Sequence, residues 1–190
     1  MVRVAAEKGY AATTVTEVAE VAGVSTATFY ELFEDKEDCF LESFGVVTEI
    51  VLERVGDAYD ATSGAPWPER VTAALRALLE LLASEADIAR LTMVEVGGAG
   101  EPAREPYGLM LNRFAAVLDE GRDYSPQEDL PPDTARFAVG AATSLIFDEI
   151  RAGRGAELEK LLPELVFAVL VPYLGTEAAG EQMQRVAGGG

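Results

Sequence analysis

The chain has 190 residues, 49% of them hydrophobic, with Lys and Arg numbering 15 against 33 Asp and Glu for a formal net charge of −18. This length carries one good core, or a small head on a larger body, and a single Cys with no His excludes an internal disulfide framework and the usual zinc sites, so no metal or cofactor is expected. No basic segment followed by an apolar one opens the chain and no apolar run reaches the roughly 18–20 residues of a membrane span, so a cytoplasmic protein away from the membrane is expected.

The opening, MVRVAAEKGY, fits a helix packed through Val2, Ala5 and Ala6 and ended by Gly9. Thr14 followed by Glu17 forms a capping box, which satisfies two backbone N–H groups that a helix start leaves unpaired. Val15, Val18, Ala19 and Ala22 then recur at helical spacing, and Gly23 ends this helix with Val24 packing under the turn. Ser25 caps a further short helix. Phe29 and Phe33 point inward from it, which leaves Thr26, Ala27, Thr28 and Tyr30 at its N-terminus or outer sides. Asp35 with Asp38 three residues on starts a long helix whose stripe is Phe40, Phe44, Val47, Val51 and Val55. Cys39 has no His to activate it and reads as a buried apolar side chain.

After the ATSGAPWP loop, Trp67-Pro68 opens a helix through Val71, Ala74, Leu75, Leu78, Leu79 and Leu82. Residues 87–96 form a shorter helix, 101–106 a loop or first turn, and 107–120 a helix striped by Tyr107, Met110, Leu111, Phe114, Val117 and Leu118. Helices over 133–152 and 157–174 follow, before a Gly-rich end expected to fray. No strand alternation, internal repeat or phosphate-cradling Gly motif occurs, and GGAG at 97–100 follows a helix rather than a strand.

The segment LLPELVFAVLVPYL is apolar nearly all round, which in a globular protein means burial on more than one side. Gly140-Ala141-Ala142 on the preceding helix allows close approach of another helix. The two helices either fill their own core or form a four-helix interface with a second copy. The interface is the expectation, with Ala141, Leu145, Val166, Leu170 and Tyr173 in it.

Gly9-Tyr10, Thr14-Val15, the Ala19/Ala22-Gly23-Val24-Ser25 turn, Phe29-Tyr30, Phe33 and Lys36 stand in the order and spacing of one family. The segment resembles the helix-turn-helix head of TetR-family transcriptional regulators. The resemblance implies a homodimer whose heads read a partly palindromic double-stranded operator while a helical body binds a small molecule that releases the DNA. It also implies that Tyr30 and Lys36 contact the DNA backbone and that Thr26, Ala27 and Thr28 face base edges, and Thr14 and Ser25 complete the candidate DNA-binding residues. The opening resembles only the second half of the family's first helix, and a start assigned too late is favoured over a shortened head.

Charge opposes this reading. Over the first 45 residues Arg3, Lys8 and Lys36 face Glu7, Glu17, Glu20, Glu31, Glu34, Asp35, Glu37, Asp38 and Glu42. Phosphate binding ordinarily draws on Lys and Arg that release counterions. Helix N-termini and Thr, Ser and Tyr hydroxyls are the remaining means of holding phosphate.

In the body Glu95 shares a helix face with Ile88, Leu91 and Thr92, and an inward carboxylate needs a partner or a shift toward its neutral form. An ion pair with an arginine such as Arg113, a bond to a helix end, and a ligand-facing role all remain open. Trp67, Met93, Glu95, Met110, Phe114 and Phe147 are the candidate pocket residues. The expected architecture is all-α, with a three-helix DNA-binding head, residues 1–43, and a ligand-binding, dimerising body, residues 44–190. The expected function is a ligand-responsive regulator, in this family most often a repressor. The alternative is a helical dimeric ligand- or protein-binding module with a vestigial head that no longer binds DNA. No nucleophile, metal or cofactor motif supports an enzyme.

Overall fold

The structure, a computed structural model, describes residues 1–127 and 129–188. It is all-α among the described residues. The head contains α1 (Val2–Lys8), α2 (Val15–Ala22) and α3 (Thr26–Leu32). The body contains α5 (Trp67–Ser84), α6 (Ala86–Met93), α7 (Glu101–Asp119), α8 (Thr134–Arg151) and α9 (Leu162–Gly188). The long α4 (Lys36–Ala61) belongs to both.

Local chemistry sets the head's geometry. Thr14 Oγ1 accepts from the Glu17 N–H at 3.3 Å while the Thr14 N–H donates to Glu17 Oε2 at 3.1 Å, so the capping box is closed in both directions. Gly23 takes the left-handed conformation, φ 72°, and the N–H groups of Gly23 and Val24 return to the carbonyls of Glu20 and Ala19. Ser25 Oγ then accepts from the Thr28 N–H at 3.0 Å and starts α3. Val4, Val18, Ala19, Phe29 and Cys39 form a small separate core, with Met1, Val15 and Phe33 packed against it. Ala22 and Val24 lie outside it, contrary to the sequence reading, because the turn holds them on the rim where nothing covers them.

Asp35 caps α4 by accepting from the Asp38 N–H at 2.9 Å. Phe40, Phe44, Val47, Val51, Val55 and Tyr59 are all buried along one side of this helix. At 26 residues α4 is about 39 Å long and crosses the 43/44 line without a break.

In the body α5 packs on α4, α6 and α9, and α8 on α7 and α9. Helix α7 begins at Glu101, earlier than expected. Pro102 fits the first turn, where no N–H partner is needed, and Pro106 is tolerated inside the helix. Helix α6 ends at Met93, so Glu95 sits in a 3-10 turn, Glu95–Ala99, instead of on the helix.

Helix α9 also departs from expectation. It is interrupted at Gly175 (φ 78°) but resumes, with Ala179 and Gln182 buried and Gln182 Nε2 donating to Thr72 Oγ1 at 3.0 Å, so the chain stays helical to Gly188, and residues 189–190 of the Gly-rich end lie outside the described residues. Gly155–Gly188 has the length and mean hydropathy, 1.4, of a membrane-crossing segment. Its Leu165, Val166, Val169, Leu170 and Tyr173 are instead buried in the core of the body. Three of the residues assigned to a dimer interface, Val166, Leu170 and Tyr173, are therefore corrected to core. The same chain covers this side of the helix, while Phe167, Val171 and Leu174 on its other side are only half-buried and Ala168 is exposed. Ala141 is exposed and Leu145 half-buried on the outer side of α8.

Candidate functional site

Two features of the fold can carry function, the outer face of the head and a cavity in the body. In the head, α3 presents Thr26, Ala27 and Tyr30 to solvent, Tyr30 with 59% of its surface exposed. Thr28 is half-buried and its hydroxyl pairs with Ser25 Oγ at 3.0 Å. The Thr14 hydroxyl is likewise committed, donating to Glu17 Oε2 at 2.8 Å. Glu17 also pairs with Lys8 of α1, and this bond, with those from Thr14, pulls its carboxyl down to about 2.

Lys36 is tied into the structure. Its Nζ donates to the Tyr10 carbonyl at 3.0 Å and lies 4.4 Å over the Tyr10 ring. Glu95 holds the other side of the same residue: its Oε2 accepts from the Tyr10 N–H at 2.8 Å and its Oε1 pairs with Arg90 at 3.2 Å. Arg90 Nε donates in turn to the Ala6 carbonyl at 2.7 Å. Glu95 is thus the buried join between head and body. Its cation is Arg90, while Arg113 pairs with Glu49 at the surface.

The cavity, about 500 Å³, lies between α4, α5, α7 and α8. Its walls are apolar, including Leu52, Val55, Val71, Leu78, Met93, Phe114 and Ile146, and its polar groups include Tyr59, Arg70, Arg113 and Glu120. A second hollow of about 530 Å³ shares Met93, Leu111 and Thr143 with it and adds Tyr107 and Phe147. Of the six candidate pocket residues, Met93 and Phe114 line the first and Phe147 the second. Trp67, Glu95 and Met110 line neither and are corrected. Trp67 is fully buried against Tyr173 and Tyr124, and Met110 lines a separate hollow of about 450 Å³ between α4 and α7, where the Thr48 hydroxyl meets its sulfur at 3.8 Å.

Tyr59 and Arg70 were missed. Tyr59 Oη donates to Glu120 Oε2 at 2.6 Å, and burial and this neighbouring carboxylate push the phenol's pKa up. Arg70 follows Trp67 by three residues and precedes Ala74 by four, so a charge on an apolar stripe was the available signal.

A compact head with two capped short helices joined at a glycine turn, on a helical body with an apolar cavity, is a helix-turn-helix head on an all-α body. Residues 2–43 match the family described as bacterial regulatory proteins, tetR family. The head of the chain is thus similar to the heads of that family. The chain is 28% identical over 118 residues to the fatty acid metabolism regulator protein of Bacillus subtilis (strain 168), a match spanning 62% of this chain and 60% of that protein. The fold is similar to that of the fatty acid degradation regulator FadR of Bacillus halodurans, with TM-score 0.77, 22% identity and 89% of each chain covered. It is similar also to FadR of Bacillus subtilis in complex with stearoyl-CoA, with TM-score 0.75, 22% identity, and 90% of this chain and 94% of that one covered. The TetR-family regulator PfmR of Thermus thermophilus shares the fold at TM-score 0.64 and 20% identity, over 89% and 90% of the two chains.

Proposed function

We propose that the chain is a ligand-responsive transcriptional regulator, a repressor that a small-molecule effector releases from its operator. The observation that carries this reading is the continuity of α4, which starts in the head at Lys36 and lines the apolar cavity with Leu52, Val55 and Tyr59. An effector that spreads the cavity walls tilts this helix and with it the head. In a homodimer the two heads then no longer match half-sites about one DNA turn apart. The division of labour runs between residues 1–43 and 44–190, the operator is partly palindromic double-stranded DNA, and the protein acts in the cytoplasm.

In the head, Tyr30, Lys36 and the N-termini of α2 and α3 at Thr14 and Ser25 hold phosphates, while Thr26, Ala27 and Thr28 face base edges. The intact caps of both helices, which a vestigial head has no need to keep, support DNA binding over a purely body-borne function. The second copy docks on the outer stripe of α8, where Phe137 is 73% exposed and Ala141 and Leu145 follow at one-turn spacing. The similar protein crystallised with stearoyl-CoA makes long-chain acyl thioesters the first effectors to try.

The test is a mobility shift on DNA from upstream of the gene, with and without stearoyl-CoA and free long-chain acids. Retarded DNA released by one of these ligands is expected. DNA binding that no ligand changes removes the effector from the account.

A further inference from the structure

Resting on the reading of the cavity as the effector site, we propose that Arg70 seats an anionic oxygen group, so that the cavity selects an alkyl chain ending in an oxyanion over a neutral one. Arg70 belongs to the cavity wall, and only 18% of its side chain is exposed. Its Nε is sealed from water and has no hydrogen-bond partner. Its Cζ lies 3.8 Å from the centroid of the Tyr59 ring.

The Glu120 carboxylate is 3.6 Å from a terminal Arg70 nitrogen, beyond the ~2.7–3.2 Å of a hydrogen bond. That carboxylate oxygen already accepts from Tyr59, and the Glu120 side chain is 49% exposed, so water screens the pair. A guanidinium has five donors, and a buried donor left unpaired is costly. A bidentate oxyanion would balance its charge and take up two of these donors.

The other cations beside these hollows are committed elsewhere. Arg113 is 61% exposed and paired with Glu49, and Arg104 is bonded to Glu101 at 2.6 Å. Against a net charge of −18, which disfavours anions at long range, a local cation is what lets an anionic ligand enter at all. The incoming oxyanion takes Glu120's place beside Arg70, and Glu120 turns to solvent. Because Tyr59 is on α4 and Glu120 just follows α7, this exchange opens the bond that ties the two helices.

The test uses dodecanoate, dodecyl phosphate and dodecanol below their critical concentrations, titrated calorimetrically into the full chain. At least one oxyanion is expected to bind roughly tenfold or more tightly than the alcohol. The two anionic arms distinguish a carboxylate site from a phosphate site. Arg70→Gln abolishes the preference while alcohol binding persists, Arg70→Lys restores part of it, and Arg113→Gln leaves it intact. Equal binding of acid, phosphate and alcohol to the unmodified chain overturns the proposal, as does a preference that survives Arg70→Gln. The comparison on the unmodified chain decides the matter even if a variant does not fold. Failure of all three to bind while stearoyl-CoA binds overturns this inference alone, and failure of stearoyl-CoA as well overturns the effector-site reading with it.

Discussion

The Tyr10 backbone N–H donates to the Glu95 carboxylate at 2.8 Å across a separation of 85 residues. One side of this peptide residue is thereby held by the body, and the other, its carbonyl, by Lys36 at the start of α4. The α1–α2 turn is clamped between the two parts of the molecule.

Glu95→Ala leaves the buried Tyr10 N–H without an acceptor and Arg90 without its carboxylate, and is expected to cost about 1–3 kcal/mol. Glu95→Gln keeps an acceptor for Tyr10 and costs less. Chemical denaturation gives both values. A Glu95→Ala chain of unchanged stability but altered effector response would return Glu95 to the ligand site.

Gly121 lies where a Cβ would stand 2.4 Å from Trp67 and 2.8 Å from Tyr173. Both rings are fully buried and cannot withdraw. Gly121→Ala is therefore expected to destabilise the fold by about 1–3 kcal/mol. Thermal denaturation followed by the single tryptophan, Trp67, tests this; an unchanged midpoint contradicts the packing.

The Glu17 carboxyl is lowered to about 2 by its bonds with Lys8 and Thr14. A depressed carboxyl stabilises the fold above its unfolded value, near 4.5, and that contribution is lost as pH falls through about 2. Glu17→Gln is therefore expected to flatten the acid limb of head unfolding between these values. An acid titration of α1 and α2 amide signals that is the same in both proteins would deny the Lys8–Glu17 link a role.

Phe137→Glu and Val166→Glu separate surface from core. The first puts charge on the exposed stripe of α8 and is expected to yield a folded monomer; the second buries an unpaired charge and is expected to unfold the body. Light scattering with circular dichroism reads both. A folded Val166→Glu monomer would restore Val166 to the interface.

Features set by near neighbours in sequence were legible. The caps at Thr14, Ser25 and Asp35 and the α4 stripe from Phe40 to Val55 follow from spacings within a turn or two. Glu95 was recognisable as inward-facing, but its partners Tyr10 and Arg90 depend on how α1 meets α6. Val166 and Leu170 illustrate another limit: apolarity all round a helix says that it is covered, without saying whether its own chain or another covers it. The cavity was half legible for a similar reason. Met93 and Phe114 stood out by residue type, whereas Tyr59 and Arg70 matter through an approach of α4, α5 and α7 that no local pattern encodes.

The acidic head and the exposed α3 face meet in one measurement, selection of bound sequences from random DNA by the full chain, followed by a salt titration on the winner. The account predicts a partly palindromic sequence with half-sites about one turn apart. It also predicts a shallow loss of affinity with salt, a log–log slope of ~0.9 for each of only a few phosphate contacts. Tyr30→Ala weakens binding across sequences, and changes at Thr26 shift the preference. Enrichment of no sequence would contradict the regulator reading and leave a dimeric binding module with a vestigial head.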